Sequence, residues 1–240
     1  LVGSEMCIRD RMWRDGDDVP IPGTPVADFI SSTVLDRLDT NTAQELEDLT
    51  LEPFPISRGD SITDLSIDNL DDATILKWSG SRFESQHLIK HVKLASLDED
   101  KVKSIHERLV DRWSEIEGFE ARGHEMHHRI LSGQSVSKGL AEDVFDNLGP
   151  VVASTLLSDA LDNEERGDLR ILSARAAIAI GEAKTALRIS EGLTEQADRL
   201  KIEMESFRLL GKESRFLAAE EELLSKLGEP ERSQVLIRGA

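Results

Sequence analysis

The string His124-Glu125-Met126-His127-His128 is a literal H-E-x-x-H. On a helix, positions i and i+4 share a face. The imidazoles of His124 and His128 could therefore hold a zinc ion while Glu125 activates a water. Three features weigh against that chemistry. Arg122 and Arg129 flank the string, Gly123 weakens the helix just before it, and third-ligand candidates such as Glu142, Glu164 and Glu165 have no assigned place beside it. The expectation is a histidine cluster with no tight zinc site and no catalytic residue. The alternative is a zinc-dependent hydrolase in which His124 and His128 bind metal and Glu125 is the base.

Other chemical signatures are weaker. The phosphate-cradling pattern G-x-x-x-x-G-K-[ST] occurs nowhere, and Gly211-Lys212-Glu213 is the nearest approach. The chain is therefore expected neither to hydrolyse ATP nor to bind it tightly. Arg58-Gly59-Asp60 spells an adhesion tripeptide, but in this context it reads as a turn.

The elements that would position these residues are mostly helical. Hydrophobic residues make up 39% of the chain and aromatics 4%, with no tyrosine, which favours helices packed through aliphatic side chains. The net charge is −18. So acidic a surface repels phosphate backbones and anionic lipid, and no apolar run is long enough to span a bilayer. Neither nucleic acid nor membrane is an expected partner, and a cytoplasmic location is expected.

Residues 12–26 carry Pro20, Pro22, Gly23 and Pro25 among acidic residues and read as a linker. A helix is expected from near Asp28, with Phe29, Ile30, Val34, Leu35 and Leu38 on one face. A second should run from Ala43 to Leu51, stopped by Pro53 and Pro55. Ser61 could cap a short third helix, with Leu65, Ile67 and Leu70 at core-like spacing. Ile75–Trp78 and Arg82–Gln86, either side of Ser79-Gly80-Ser81, predict a β-hairpin, the only substantial β-structure expected. Helix resumes from His87 to about Leu97. That order is the one expected of a winged-helix variant.

From Asp98 onward the pattern is helical. Val102, Ile105, Leu109, Trp113 and Ile116 form one stripe, and further helices are expected at about 119–132, 135–148, 150–162, 168–180, 183–194, 197–210 and 213–227. Gly133, Gly149, Gly167, Gly181, Gly211 and Gly228 mark most of the breaks, as C-caps often do. The segments around Gly181 and Gly211 echo each other at about 30 residues, near the tetratricopeptide period. Stacked pairs would share a core of Leu140, Val144, Leu156, Leu172, Ile178, Leu187, Leu200, Leu209, Leu217 and Leu224. The expected fold class is mainly α: a winged-helix domain at 27–97 with one small hairpin, then a tetratricopeptide-like array of helical pairs at 98–240.

Two resemblances complete the reading. Leu1-Val2-Gly3-Ser4-Glu5-Met6-Cys7-Ile8-Arg9-Asp10, with Arg11, resembles the translated inner end of a transposon-type sequencing adapter. On that reading Met6 is not a start, the lone Cys7 is artefactual, and the natural chain begins upstream. The second covers roughly residues 26–135. Val26-Ala27-Asp28-Phe29-Ile30, Leu35-Asp36-Arg37-Leu38, Glu45-Leu46, Phe54-Pro55-Ile56, Phe83–Lys90, Ile105-His106, and Glu120-Ala121-Arg122 leading to His128 and Gly133 resemble the part of STAND-type signal-transducing ATPases that follows the ATPase core.

The resemblance implies a regulatory, protein-interaction role, with ATP or ADP bound only by an upstream core and no cofactor in this portion. In that family a Met-His-Asp histidine senses nucleotide. The matching positions here are Gln86 and His87, and glutamine carries no charge. The implied partners are the upstream core and a protein or peptide, basic or amphipathic given the acidity. A free-standing helical-repeat adaptor is a third reading. A count over residues 27–97, with 13 acidic and 6 basic side chains, argues against DNA.

Overall fold

The computed structural model describes residues 24–60 and 64–226. The adapter-like residues, most of the expected linker, the Ser61 cap and Gly228 lie outside the described residues. The chain divides into two compact units, 1–135 and 136–240. It is mainly helical with one small antiparallel sheet.

The first unit opens with α1 (Pro25–Thr33). Thr24 caps it by accepting from the Ala27 N–H, and Pro25 at the first position has no N–H to leave unmet. The helix expected to reach Leu38 ends sooner: a short 3₁₀ turn, Leu35–Arg37, takes over. Next comes α2 (Thr40–Leu51), whose N-cap is Asp39, accepting from the N–H groups of Asn41 and Thr42. Then follow β1 (Ile56–Ser57), α3 (Asp64–Asp72), β2 (Leu76–Ser79), β3 (Arg82–Ser85) and α4 (His87–Ala95).

The hairpin turns at Gly80, whose φ of +64° suits a residue without a Cβ. In register, Trp78 faces Phe83 and Leu76 faces Ser85. The hairpin is not the whole sheet: the two-residue β1 pairs with β3, Ile56 opposite Phe83, giving the order β1-β3-β2. Phe83, on the central strand, is fully buried.

Two longer helices complete this unit, α5 (Glu99–Glu115), capped by Asp98, and α6 (Phe119–Ser132). They belong to the same core as the segments before them. Ile105, Leu109, Trp113 and Ala121 bury together with Leu46, Leu49, Ile67, Leu70 and Phe83. The division between units thus falls at 135, whereas the spacing pattern placed one at 97.

Among the described residues, the second unit contains α7 (Lys138–Asn147), α8 (Pro150–Asn163), α9 (Gly167–Ala179), α10 (Ala183–Ser190), α11 (Gln196–Leu209) and α12 (Glu213–Lys226). These match the expected segments closely. Leu140, Val144, Leu156, Leu172 and Leu200 are buried as expected, and Ile178, Leu187 and Leu224 are half-buried. Leu209 and Leu217 are exposed instead; Ile202, Ala219 and Leu223 hold the buried face.

The glycines play two roles. Gly181 and Gly211 follow α9 and α11 in the left-handed region and close them identically. Glu182 and Lys212 each donate to the carbonyl five residues back, Gly181 and Gly211 to the one three back. Gly133 does the same after α6. Gly149 and Gly167, expected as C-caps, instead open α8 and α9.

Candidate functional site

Helix α6 places His124, Met126, His128 and Ile130 inward, so the H-E-x-x-H string lies on a buried face. The flanking arginines do not keep that face wet, because Glu125 takes both. Its Oε2 lies 2.6 Å from Arg122 Nη1 and its Oε1 2.9 Å from Arg129 Nε. Glu125 is thereby committed to its own helix, and its carboxylate is not free to serve as a base.

The group that meets the two imidazoles is Glu52. It sits at the C-cap of α2 in extended backbone, and Pro53 follows it. Its Oε2 lies 2.6 Å from His124 Nδ1 and 3.2 Å from His128 Nε2, and its Oε1 accepts from the Trp113 indole N–H at 2.8 Å. Glu52, His124 and His128 are all buried, and one ligand atom from each lies within 4.8 Å of the others. Glu142, Glu164 and Glu165 belong to the second unit, where they pair with Lys138, Arg166 and Arg170.

The neighbours fix the rings. Trp113 stacks on His124, with centroids 4.0 Å apart and planes inclined by 13°, and Phe54 meets the same imidazole edge-on at 5.3 Å. His106, on α5, sets its Nδ1 2.8 Å from His128 Nδ1, so a single proton is shared across that contact. His127 packs near both His106 and His128.

The electrostatics follow from this packing. Burial opposes charge on Glu52, but the facing His128 and the hydrogen bonds from His124 and His128 outweigh it. The carboxyl is held well below the usual carboxylate range. Burial, then repulsion from His128, lowers His106 to about 3. Desolvation and the neighbouring imidazoles lower His127 as well. The arrangement is a carboxylate with three donors, or, with two of those protons removed, one oxygen and two nitrogen donors for a cation.

A second charged knot lies one turn earlier on α2. Asp48, also buried, is held by Arg108 and by Arg112, the latter at 3.2 Å. Burial raises its carboxyl and the two guanidiniums oppose that rise.

The two positions matched to the nucleotide-sensing motif lie at the start of α4, Gln86 as its N-cap and His87 as its first residue. Gln86 donates through Nε2 to the Thr74 carbonyl at 2.7 Å, and its backbone N–H donates to Ile75 O. Thr74 has a φ of +60°, so this amide braces a strained corner where the chain enters the hairpin. His87 lies on the surface with its Nε2 2.9 Å from that of His91, one turn along α4.

Sequence reasoning placed His124 and His128 and missed Glu52, Trp113 and His106 as their neighbours. The signal available for Glu52 was a charged residue wedged between Leu51 and Pro53 at a helix end. Comparison with family models, with curated proteins and with solved structures finds no match.

Proposed function

We propose that the chain is the regulatory and protein-interaction portion of a signal-transducing nucleoside triphosphatase: a winged-helix unit followed by helical pairs, acting with an ATPase core carried on a separate segment. The observation that carries the reading is the connectivity of the first unit. Two helices, a strand, a helix and a hairpin run in order, and β3 lies between β1 and β2. The sheet order and the helix leading into the hairpin are shared with winged helices; here a single helix, α3, separates β1 from the hairpin. The paired helices and the repeated Gly181 and Gly211 turns support the array that should follow.

Charge argues for a protein partner. The helix that would enter a DNA groove is α3, and it presents Asp68, Asp71 and Asp72 to solvent. Phosphate contact needs the opposite sign. Val26 and Phe29, exposed on α1, offer apolar surface for a neighbouring domain. In the second unit Glu142, Asp143, Glu191, Glu205, Glu213 and Glu221 are exposed, which favours a basic segment as ligand.

The genomic sequence immediately upstream provides the test. It should encode G-x-x-x-x-G-K-[ST] in the same reading frame; a stop codon or an unrelated domain there would remove the proposal. The present chain alone should show no micromolar affinity for ATP by calorimetry.

A further inference from the structure

We propose that Glu52, His124 and His128 form a zinc-binding clasp that ties the end of α2 to α6. Three independent features of the geometry point there.

The first is the donor set. One carboxylate and two imidazoles suit zinc, and all three are buried. Buried imidazoles that face a carboxylate are far more selective than an exposed acidic cluster, because each must find a partner or lose its hydration unrewarded.

The second is spacing. With metal–ligand bonds of about 2.0–2.1 Å, the donor atoms of a tetrahedral site stand roughly 3.3 Å apart. Glu52 Oε2 and His128 Nε2 are 3.2 Å apart already. The 2.6 Å contact to His124 Nδ1 is a hydrogen bond and would open by about 0.7 Å once the proton gives way to the cation.

The third is the layer behind the ligands. A metal-binding imidazole usually uses its other nitrogen in a hydrogen bond that sets the ring's tautomer, and ligating carboxylates are themselves held. His128 has that partner in His106, at the nitrogen facing away from Glu52. Glu52 has the Trp113 indole N–H on Oε1, leaving Oε2 directed at both imidazoles. His124 is held flat by the Trp113 ring.

The clasp is structural rather than hydrolytic. The glutamate inside the H-E-x-x-H string is bound to Arg122 and Arg129 and contributes nothing to the cation. The third ligand comes from 72 residues before His124, so the ion would close a long loop between two helices.

The surface pair His87 and His91 could also take a divalent ion, being one turn apart on α4. The experiment therefore uses the full chain carrying His91→Ala, stripped with chelator and titrated with Zn²⁺ and with Co²⁺ at neutral pH. Binding of one equivalent at about micromolar affinity or tighter is expected, with the visible absorption of a low-coordinate Co²⁺ site and a rise in thermal midpoint.

Adding Glu52→Gln keeps the side-chain shape and an acceptor for Trp113, and should weaken binding by more than about 10-fold. His106→Phe should weaken it by about 10-fold with the stoichiometry unchanged. Glu125→Gln should leave affinity unaltered. Failure of the His91→Ala protein to bind either ion, with its circular dichroism intact, overturns the proposal and leaves a purely hydrogen-bonded cluster. So does binding that is indifferent to Glu52→Gln. If Glu52→Gln does not fold, the Co²⁺ spectrum and stoichiometry of the His91→Ala protein decide the matter alone.

Discussion

The two units bury different things. The first sinks Asp48, Glu52, Glu125, His106, His124 and His128 beneath its surface; among the described residues, the buried polar side chains of the second are only Ser173, Ser190 and Ser206. The second unit is packed with small side chains, Ala174, Ala176, Ala177, Ala183 and Ala186 among them, and its turns repeat. Small apolar side chains each contribute a modest increment of burial, and losing one strands no charge. A core holding paired charges is another matter, because removing one member strands the others. Single substitutions should therefore be costliest in the first unit, at its paired buried charges.

Four experiments test this contrast, and one probe separates the units: all three tryptophans lie within the first 113 residues. The largest effect is expected from Trp113→Ala. It removes a buried ring and the donor to Glu52, and should cost about 4 kcal/mol in denaturant unfolding followed by fluorescence of the remaining tryptophans. Leu217→Ala, at an exposed position of the second unit, should shift the circular-dichroism transition by less than about 0.5 kcal/mol. Comparable losses at both sites would erase the distinction.

Next in size is Glu52→Ala in metal-free protein. It leaves the His124, His128 and Trp113 donors unmet, and about 3 kcal/mol should be lost. A neutral result would mean that the cluster repacks as an apolar core does.

Acid comes third. His106 falls from 6.5 to about 3 on folding, and Glu52 is depressed below 4.5. In both cases the unfolded chain binds more protons, so stability is complete above pH 6.5 and drains as the pH falls toward 3. Asp48 and Glu45, whose carboxyls are raised chiefly by burial, work in the opposite direction. A net loss of about 2 kcal/mol between pH 7 and pH 4 is expected in the fluorescence transition. His106→Gln should flatten the slope; a slope unchanged by it would assign the acid sensitivity elsewhere.

The smallest effect concerns the repeated turns. Gly181→Ala and Gly211→Ala each force a Cβ into the left-handed region, and each should cost about 1 kcal/mol. Unequal costs, measured by circular dichroism, would show that the two pairs are not equivalent units.

Legibility in the sequence followed the range of the interaction. Helices of the second unit were readable because apolar spacing and glycine breaks are local, and Trp78, Gly80 and Phe83 announced the hairpin for the same reason. The strand β1 was not readable: two residues after Pro55 carry no alternation, and only the distant Phe83 defines them. The inward face of α11 and α12 was misjudged at Leu209 and Leu217, since both helices carry more apolar positions than one buried face can use. In the candidate site, the imidazole pair was plain from i,i+4 spacing. Glu52 was not, because nothing local links it to residues 72 and 76 positions later. The pairing of Glu125 was not readable either: Arg122 and Arg129 were visible as neighbours but not as its partners.

That long reach has a consequence for synthesis on the ribosome. Glu52 emerges well before His124, and Asp48 before Arg108 and Arg112. At roughly 5–20 residues per second, the 72 residues between Glu52 and His124 take about 4–14 s to appear. Until Arg108, Arg112 and Trp113 appear late in that interval, two carboxylates destined for the interior have none of their eventual partners, and Glu52 still lacks both imidazoles. The helices and hairpin already made can form and dissolve, but closing over bare charge is unfavourable. The nascent chain should therefore stay open until α6 arrives. A ribosome stalled at residue 97 would hold a protease-sensitive intermediate, and one stalled far enough past residue 135 would not.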